Sequence, residues 1–225
     1  RMTVAQIIGE PLLVNGIAKG PELDERVAHL LEQVGMEPAW RERYPHAFSG
    51  GQRQRIGIAR ALILRPRFVV CDEAVSALDV SVQAQIVNLL QDLKRDFGMT
   101  ILFVSHNLAV VRRLCDRVLV LYLGKPMELA STDLLYSQPR HPYTQGLLAA
   151  VPVPDPDLQP QRLGGALGGE LPSPMAPPSG CVFRTRCAHA VAACAAAAPR
   201  LQSVETGHEV ACDRWREISA SWAVA

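Results

Sequence analysis

The feature that most constrains this chain is a pair of short runs, Phe68-Val69-Val70-Cys71 and Ile101-Leu102-Phe103-Val104, that are apolar at every position. A strand with one wet face alternates apolar and polar residues, whereas a strand covered on both faces does not. Between the runs, Ser81–Phe97 carries apolar residues at helical spacing. Ser81 reads as its N-cap and Gly98 as its end. Strand, helix, strand at this spacing implies parallel pairing through a crossover helix. A helix over about 107–114 and a third apolar run, Arg117–Tyr122, continue the alternation. Leu123-Gly124, between Arg117–Tyr122 and Lys125–Leu129, predicts a hairpin. The fold class is α/β, a sheet with parallel pairs covered by helices.

Upstream, Val4–Leu13 and Glu22–Val34 have apolar residues at helical spacing, with Gly35 as a C-cap for the second. Gly51–Leu64 reads as a third helix that starts after Ser49-Gly50. Composition shifts past residue 137. Residues 139–178 hold ten of the 17 prolines and two Gly-Gly pairs, the marks of a poorly structured connector. Residues 180–225 form a small Cys- and Ala-bearing module, in which the Ala-rich stretch 192–198 predicts a turn or two of helix. Lys+Arg 23 against Asp+Glu 22 leaves +1, so no charge excess draws the chain to nucleic acid. Residues 41–67 hold seven arginines and one acid, Glu42. They lack the interleaved aromatics of a single-strand binder, and no nucleic-acid partner is expected. No apolar run reaches the ~18 residues of a membrane helix.

Three short motifs could carry chemistry. In Ser49-Gly50-Gly51-Gln52, a serine and two glycines open a helix. Free backbone N–H groups, the helix dipole and missing Cβ atoms suit a phosphate there. Alone, the same residues make an ordinary loop-to-helix turn. Asp72-Glu73 ends an apolar strand, where one carboxylate can help hold Mg²⁺ and the other can orient a water. Alone, two such acids make a solvated edge. Ser105-His106-Asn107 follows the next apolar run, where a His can sense a γ-phosphate; a lone strand-end His is usually a surface or capping residue.

In combination, and with Ser76-Ala77-Leu78-Asp79 following the two acids, these motifs form an ordered set. Over residues 1 to about 137 the chain resembles the nucleotide-binding domain of ABC transporters. The resemblance makes Ser49, Gly50, Gly51 and Gln52 the signature loop and Asp72 the Walker B aspartate that holds Mg²⁺. It makes Glu73 the catalytic glutamate, Ser76–Asp79 the D-loop with Asp79 near the nucleotide, and His106 the switch histidine. Ala74 and Asn107 stand where family members often carry Pro and Asp. No G-x-x-x-x-G-K-[ST] string occurs, and the three lysines are Lys19, Lys94 and Lys125. The resemblance therefore implies the C-terminal part of a P-loop NTPase, beginning inside the helical subdomain. These 225 residues alone are expected to hydrolyse no ATP.

The tail extends the resemblance. Arg140-His141-Pro142-Tyr143-Thr144, Ala150-Val151-Pro152-Val153-Pro154-Asp155-Pro156, Gly169-Glu170-Leu171-Pro172-Ser173-Pro174 and Pro178-Ser179-Gly180-Cys181 look like the C-terminal extension of oligopeptide and dipeptide importer ATPases. Four of the six cysteines fall here, as Cys181-x5-Cys187-x6-Cys194-x17-Cys212. In a reducing compartment four thiols suit a metal better than disulfides. The spacing lacks the C-x2-C pairs of zinc ribbons. A cluster, zinc and no metal all stay open from the residues, and the resemblance associates the pattern with a [4Fe–4S] cluster. Ala188 stands where Pro commonly follows the second cysteine. Cys71 and Cys115 read as buried small hydrophobes.

The domains expected are thus 1–137, the nucleotide-binding part; 138–179, the connector; and 180–225, the cysteine module. The resemblance implies an ATPase subunit powering oligopeptide or dipeptide import, peripheral on the cytoplasmic face of the membrane. It implies ATP and Mg²⁺ as ligands. Its partners would be a second, paralogous ATPase subunit in a heterodimer, two membrane-spanning permease subunits and, indirectly, a peptide-binding protein. Two rivals are a non-catalytic assembly module that completes a partner's ATP site, and a soluble ABC-type ATPase of DNA repair or translation. The importer-like tail argues against the second.

Overall fold

The computed structural model describes residues 2–151 and 168–219. The Ala150–Pro156 motif lies outside the described residues from Pro152 on, as does the Gly164-Gly165 pair of the connector. The chain divides into two compact units between Leu114 and Cys115.

The first unit opens with α1 (Val4–Val14), started by a capping box between Thr3 and Gln6. Helix α2 (Pro21–Gln33) follows, with Pro21 at its start and Glu22 and Asp24 in its first turn, where the dipole favours them. Gly35 lies just past its end at φ +69°, the conformation that a Cβ disfavours. Helix α3 (Gly50–Leu62) packs on α1, with Ile8, Leu12, Ile56, Ala59 and Leu62 among the buried residues of the pair. These helices form the layer that carries Ser49 at the head of α3.

Strand β1 (Phe68–Asp72), helix α4 (Val80–Phe97) and strand β2 (Thr100–Val104) give the crossover unit, and α5 (Leu108–Leu114) follows. The strands pair in parallel, Phe68 opposite Thr100 through to Asp72 opposite Val104. Two details differ from the sequence reading. The N-cap of α4 is Asp79, not Ser81. Asp79 Oδ1 accepts from the Val82 N–H at 3.0 Å and from the Ser81 hydroxyl at 2.7 Å, so Ser81 serves the cap instead of forming it. The strands are also less covered than their composition implies. Val69, Cys71, Ile101 and Phe103 are half-buried, while Phe68, Val70, Leu102 and Val104 are exposed. Alternating exposure is what a sheet with one covered face shows. For the same reason Cys71 is half-buried, as is Cys115.

The second unit begins with β3 (Arg117–Tyr122) and β4 (Lys125–Ser131), antiparallel across Leu123-Gly124. Both turn residues have positive φ, +47° and +71°, as a right-twisted two-residue hairpin requires. Helix α6 (Thr132–Ser137) follows, capped by Ser131. The stretch expected as loose connector then contains a helix, α7 (Pro142–Ala149). Its proline sits at the first helical position, where a missing N–H is harmless, so the proline count misleads there. The Ala-rich stretch forms one 3-10 turn, Ala192–Ala195. Strands β5 (Gln202–Glu205) and β6 (His208–Val210) precede α8 (Trp215–Ser219). Strand β6 pairs with β4, giving a four-stranded sheet of order β3-β4-β6-β5. The cysteine module therefore extends the β3–β4 hairpin by two strands.

Candidate functional site

The site in the first unit is assembled from the ends of β1 and β2 and the starts of α3 and α4. Because Asp72 pairs with Val104, the residues that follow each strand emerge side by side. The Glu73 N–H donates to the Val104 carbonyl at 3.0 Å, extending the ladder by one bond. Glu73 sits at φ +47°, a conformation that costs a non-glycine residue about 1–3 kcal/mol. Its own carbonyl accepts from the Ser76 hydroxyl at 3.0 Å and the Ser76 N–H at 3.1 Å, which helps hold the turn. In this pose its carboxylate Oε1 lies 3.0 Å from His106 Nδ1, with both side chains exposed. Asp72 is exposed beside them.

At α3, Ser49 is the N-cap. Its Oγ accepts from the Gln52 N–H at 3.3 Å, and its N–H donates to Gln52 Oε1 at 3.0 Å. Gln52 is thus committed to the capping box rather than free to reach outward. The two glycines differ. A Cβ on Gly51 would lie 2.5 Å from Val82 Cγ1, so this position is glycine because α4 packs against it. A Cβ on Gly50 would meet only Leu78 Cδ2, at an ordinary 3.5 Å. Gly50 and Ser49 are exposed, and they alone of the motif offer an open approach. The Ser81 hydroxyl, then the Val82 N–H, hold the Asp79 carboxyl below its ordinary range. The first turn of α4 therefore carries both the Asp79 cap and the Val82 side chain against which the glycine turn rests.

A chain of side-chain amides escaped the sequence reading. Gln83 Nε2 donates to the Leu78 carbonyl at 2.9 Å, and Asn107 Nδ2 lies 3.5 Å from Gln83 Oε1. Asn107 Oδ1 accepts from the Ala109 and Val110 N–H groups and so caps α5.

In the second unit, Gly180 at φ +66° brings two backbones together. A Cβ there would lie 2.3 Å from the Cys194 carbonyl oxygen, and the Cys181 N–H donates to that oxygen at 2.8 Å. Burial first, and then the neighbouring Cys187, Cys181 and Cys194, push Cys212 up to about 11. Burial likewise raises Cys181 and Cys187. Among the described residues no three His, Cys, Asp or Glu side chains stand in metal-binding geometry.

A buried polar cluster on β4, α7 and β6 also went unread. Glu128, His141 and His208 are all at most 1% exposed. Burial holds His141 down to about 4. The one local signal was the placing of an acid, Glu128, inside the strand β4.

Comparison with known proteins follows this division. Residues 1–76 match the ABC transporter family, and residues 127–194 match the C-terminal region of oligopeptide/dipeptide transporters. The chain is 58% identical over 214 residues to a Brucella ovis protein named for peptide import and ATP binding, covering 95% of this chain and 67% of that one. The chain belongs to the ABC transporter ATP-binding family, in its oligopeptide/dipeptide branch. It is 54% identical to the oligopeptide transport ATP-binding protein OppF of Escherichia coli over 94% of this chain and 64% of that protein. It therefore spans about two thirds of the length of these relatives. Among solved structures, an inward-facing metal-chelate type ABC transporter chain matches with a TM-score of 0.55 at 26% identity, over 60% of this chain and 55% of that one. The ABC-type nucleotide-binding fold expected from the motifs is thus the fold of this family.

Two outcomes follow from the geometry. Gly51→Ala should destabilise the first unit by about 1–3 kcal/mol, the usual cost of overpacking, while Gly50→Ala should stay within about 0.5 kcal/mol; urea unfolding of both variants checks this. His141 should contribute to pH dependence. Its folded pKa lies below the unfolded value of 6.5, so the unfolded chain binds the proton more readily between the two. Stability should fall as pH drops from about 6.5 towards about 4. His141→Asn should make that slope shallower in denaturant titrations across the range.

Proposed function

We propose that this chain acts in ATP-driven peptide import, with the ends of β1 and β2 forming the hydrolytic side of an ATP site. The observation that carries this reading is the 3.0 Å approach of His106 Nδ1 to Glu73 Oε1, set by strand pairing. Glu73 would accept the proton of an attacking water, and His106 would hold that carboxylate in place while its other ring nitrogen faces the γ-phosphate. Asp72 would help hold Mg²⁺, which when bound would neutralise phosphate charge. Ser49 and Gly50 would present the exposed N-terminus of α3 to ATP held by a second subunit, and Asp79 would keep the neighbouring turn in place. The proposed division is 1–137 for nucleotide chemistry, 138–179 for the connection and 180–225 for the cysteine module.

Family membership implies association with membrane-spanning permease subunits. The chain would sit peripherally on the cytoplasmic face of the membrane; among the described residues no helix is long and apolar enough to cross it. A paralogous ATPase partner fits a signature turn that works in trans, and a peptide-binding protein would deliver substrate to the permease. Cys181, Cys187, Cys194 and Cys212 would hold a [4Fe–4S] cluster, with a structural role because ATP hydrolysis moves no electron.

In the assembled importer, Glu73→Gln should leave ATP binding intact and lower hydrolysis at least ~10²-fold, read by nucleotide binding and phosphate release. Near-normal turnover would remove Glu73 as the base. Gly50→Asp sets a carboxylate against phosphate. In a mixed dimer the loss should fall on the ATP site whose P-loop belongs to the other subunit, as read by site-specific nucleotide crosslinking. A defect confined to the mutant subunit's own P-loop site would contradict action in trans.

A further inference from the structure

Three segments of the second unit enclose a cavity of about 470 Å³ that takes no part in the proposed ATP chemistry. Its walls come from 125–127 at the start of β4, from 177–182, and from 198–201, which leads into β5. Backbone bonding fixes these walls. Strands β4 and β5 both pair with β6 in one sheet. The Cys181 N–H donates to the Cys194 carbonyl, and the missing Cβ of Gly180 lets those two backbones meet. The volume falls in the ~300–1,000 Å³ range of small-molecule sites.

The lining is apolar in its backbone as well as in its side chains. The buried Met127 and Val182 contribute to it. Pro126, Pro177, Pro178 and Pro199 add hydrocarbon rings and carry no N–H that could be left unpaired. Water finds few hydrogen bonds on such walls, so an apolar body displaces it favourably. Lys125 and Arg200 break the pattern, both exposed and both lining the cavity. Elsewhere in this unit Arg140, Arg184, Arg186 and Arg214 are committed to hydrogen bonds. Among the described residues, no hydrogen bond or ion pair engages Lys125 or Arg200, and no acid lines the cavity.

We propose that this cavity binds an apolar monoanion, a medium-length alkyl chain lying on the proline, Met127 and Val182 walls with its anionic head held by Lys125 and Arg200. Two uncommitted cations beside an apolar wall offer such a head charge-assisted bonds in exchange for its water. The sign of the charge selects among ligands. A cationic head would meet like charge. A zwitterionic peptide would bring an ammonium that no acid in the lining answers. A neutral chain would fill the walls and leave both cations unused. A fatty-acid carboxylate and an alkyl phosphate share the required chemistry.

The test uses the whole chain with decanoate, decyl phosphate, decanol and leucyl-leucine as probes. Binding is read by calorimetry and by the methyl resonance of Met127 in protein labelled at its methionine methyl groups. Decanoate or decyl phosphate should bind with a Kd below about 1 mM and shift Met127, and the tighter of the two identifies the head group. Decanol and leucyl-leucine should each bind at least about threefold more weakly than that anion. Lys125→Gln and Arg200→Gln change exposed side chains and leave the walls intact. Each should weaken the anion about two- to fivefold and leave decanol unchanged, because exposed ion pairs are individually modest. Ala198→Phe, at an exposed wall position, should fill the cavity and weaken the anion and decanol alike. The proposal is overturned if neither anion shifts Met127 at about 1 mM, or if the two charge-removing variants bind the anion as wild type does. Decanol binding as tightly as the anions would also overturn it. Leucyl-leucine binding as tightly would overturn it too, and would make the cavity a peptide site.

Discussion

The register of two short parallel strands sets the geometry of the candidate site in the first unit. Asp72 lies opposite Val104, so Glu73 and His106 leave neighbouring strand ends close together, and the Glu73 N–H takes the Val104 carbonyl as its partner. A shift of one residue would turn every side chain of β1 to the other face and break the 3.0 Å contact between carboxylate and imidazole. The left-handed backbone of Glu73 depends on the same frame. Its cost is carried by the ladder bond on one side and the Ser76 bonds on the other. Strain of this kind persists where surrounding structure over-determines it, and it is commonly found where a side chain must be aimed.

The second unit solves a different problem. A module with four cysteines, many alanines and few large apolar side chains has little core of its own. It adds β6 to the β3–β4 hairpin and buries Phe183 against Tyr122 and Tyr143. The fully buried Glu128 replaces apolar contact with directional bonds from three donors on β6 and the start of α7. Such bonds contribute modest net stability and strong geometric specificity.

Much of this was legible in the residues because the signals were local. Helical spacing and the Leu123-Gly124 turn each depend on a few neighbours, and the first three helices and the hairpin formed close to where their patterns stood. What failed to show was set by distant partners. Asp79 and Ser81 are both plausible caps, and only the path of the chain from β1 chose between them. Phe68, Val70, Leu102 and Val104 read as buried because they are apolar, yet exposure depends on what lies over them. Gly51 read as an opening for phosphate, whereas its missing Cβ makes room for Val82. The prolines of residues 139–142 read as loop, but Pro142 starts a helix held from its N-terminus by Glu128, 13 residues before His141 in the chain. Glu128 itself is the clearest omission, because an acid in a strand reads as wet until its partners on β6, 80 residues later, are seen.

The central claim is that strand pairing makes Glu73 and His106 one functional unit, and a double-mutant cycle on turnover in the assembled importer tests it most directly. Groups that act as a unit give non-additive losses. Steady-state ATP hydrolysis should be compared among wild type, Glu73→Gln, His106→Ala and the double variant at saturating ATP. The double variant should be no slower than the worse single variant by more than about threefold, a coupling well above the ~0.5 kcal/mol scatter of independent sites. Losses that multiply, with each substitution exerting its full effect in the absence of the other, would show that the two side chains act separately and would contradict the account.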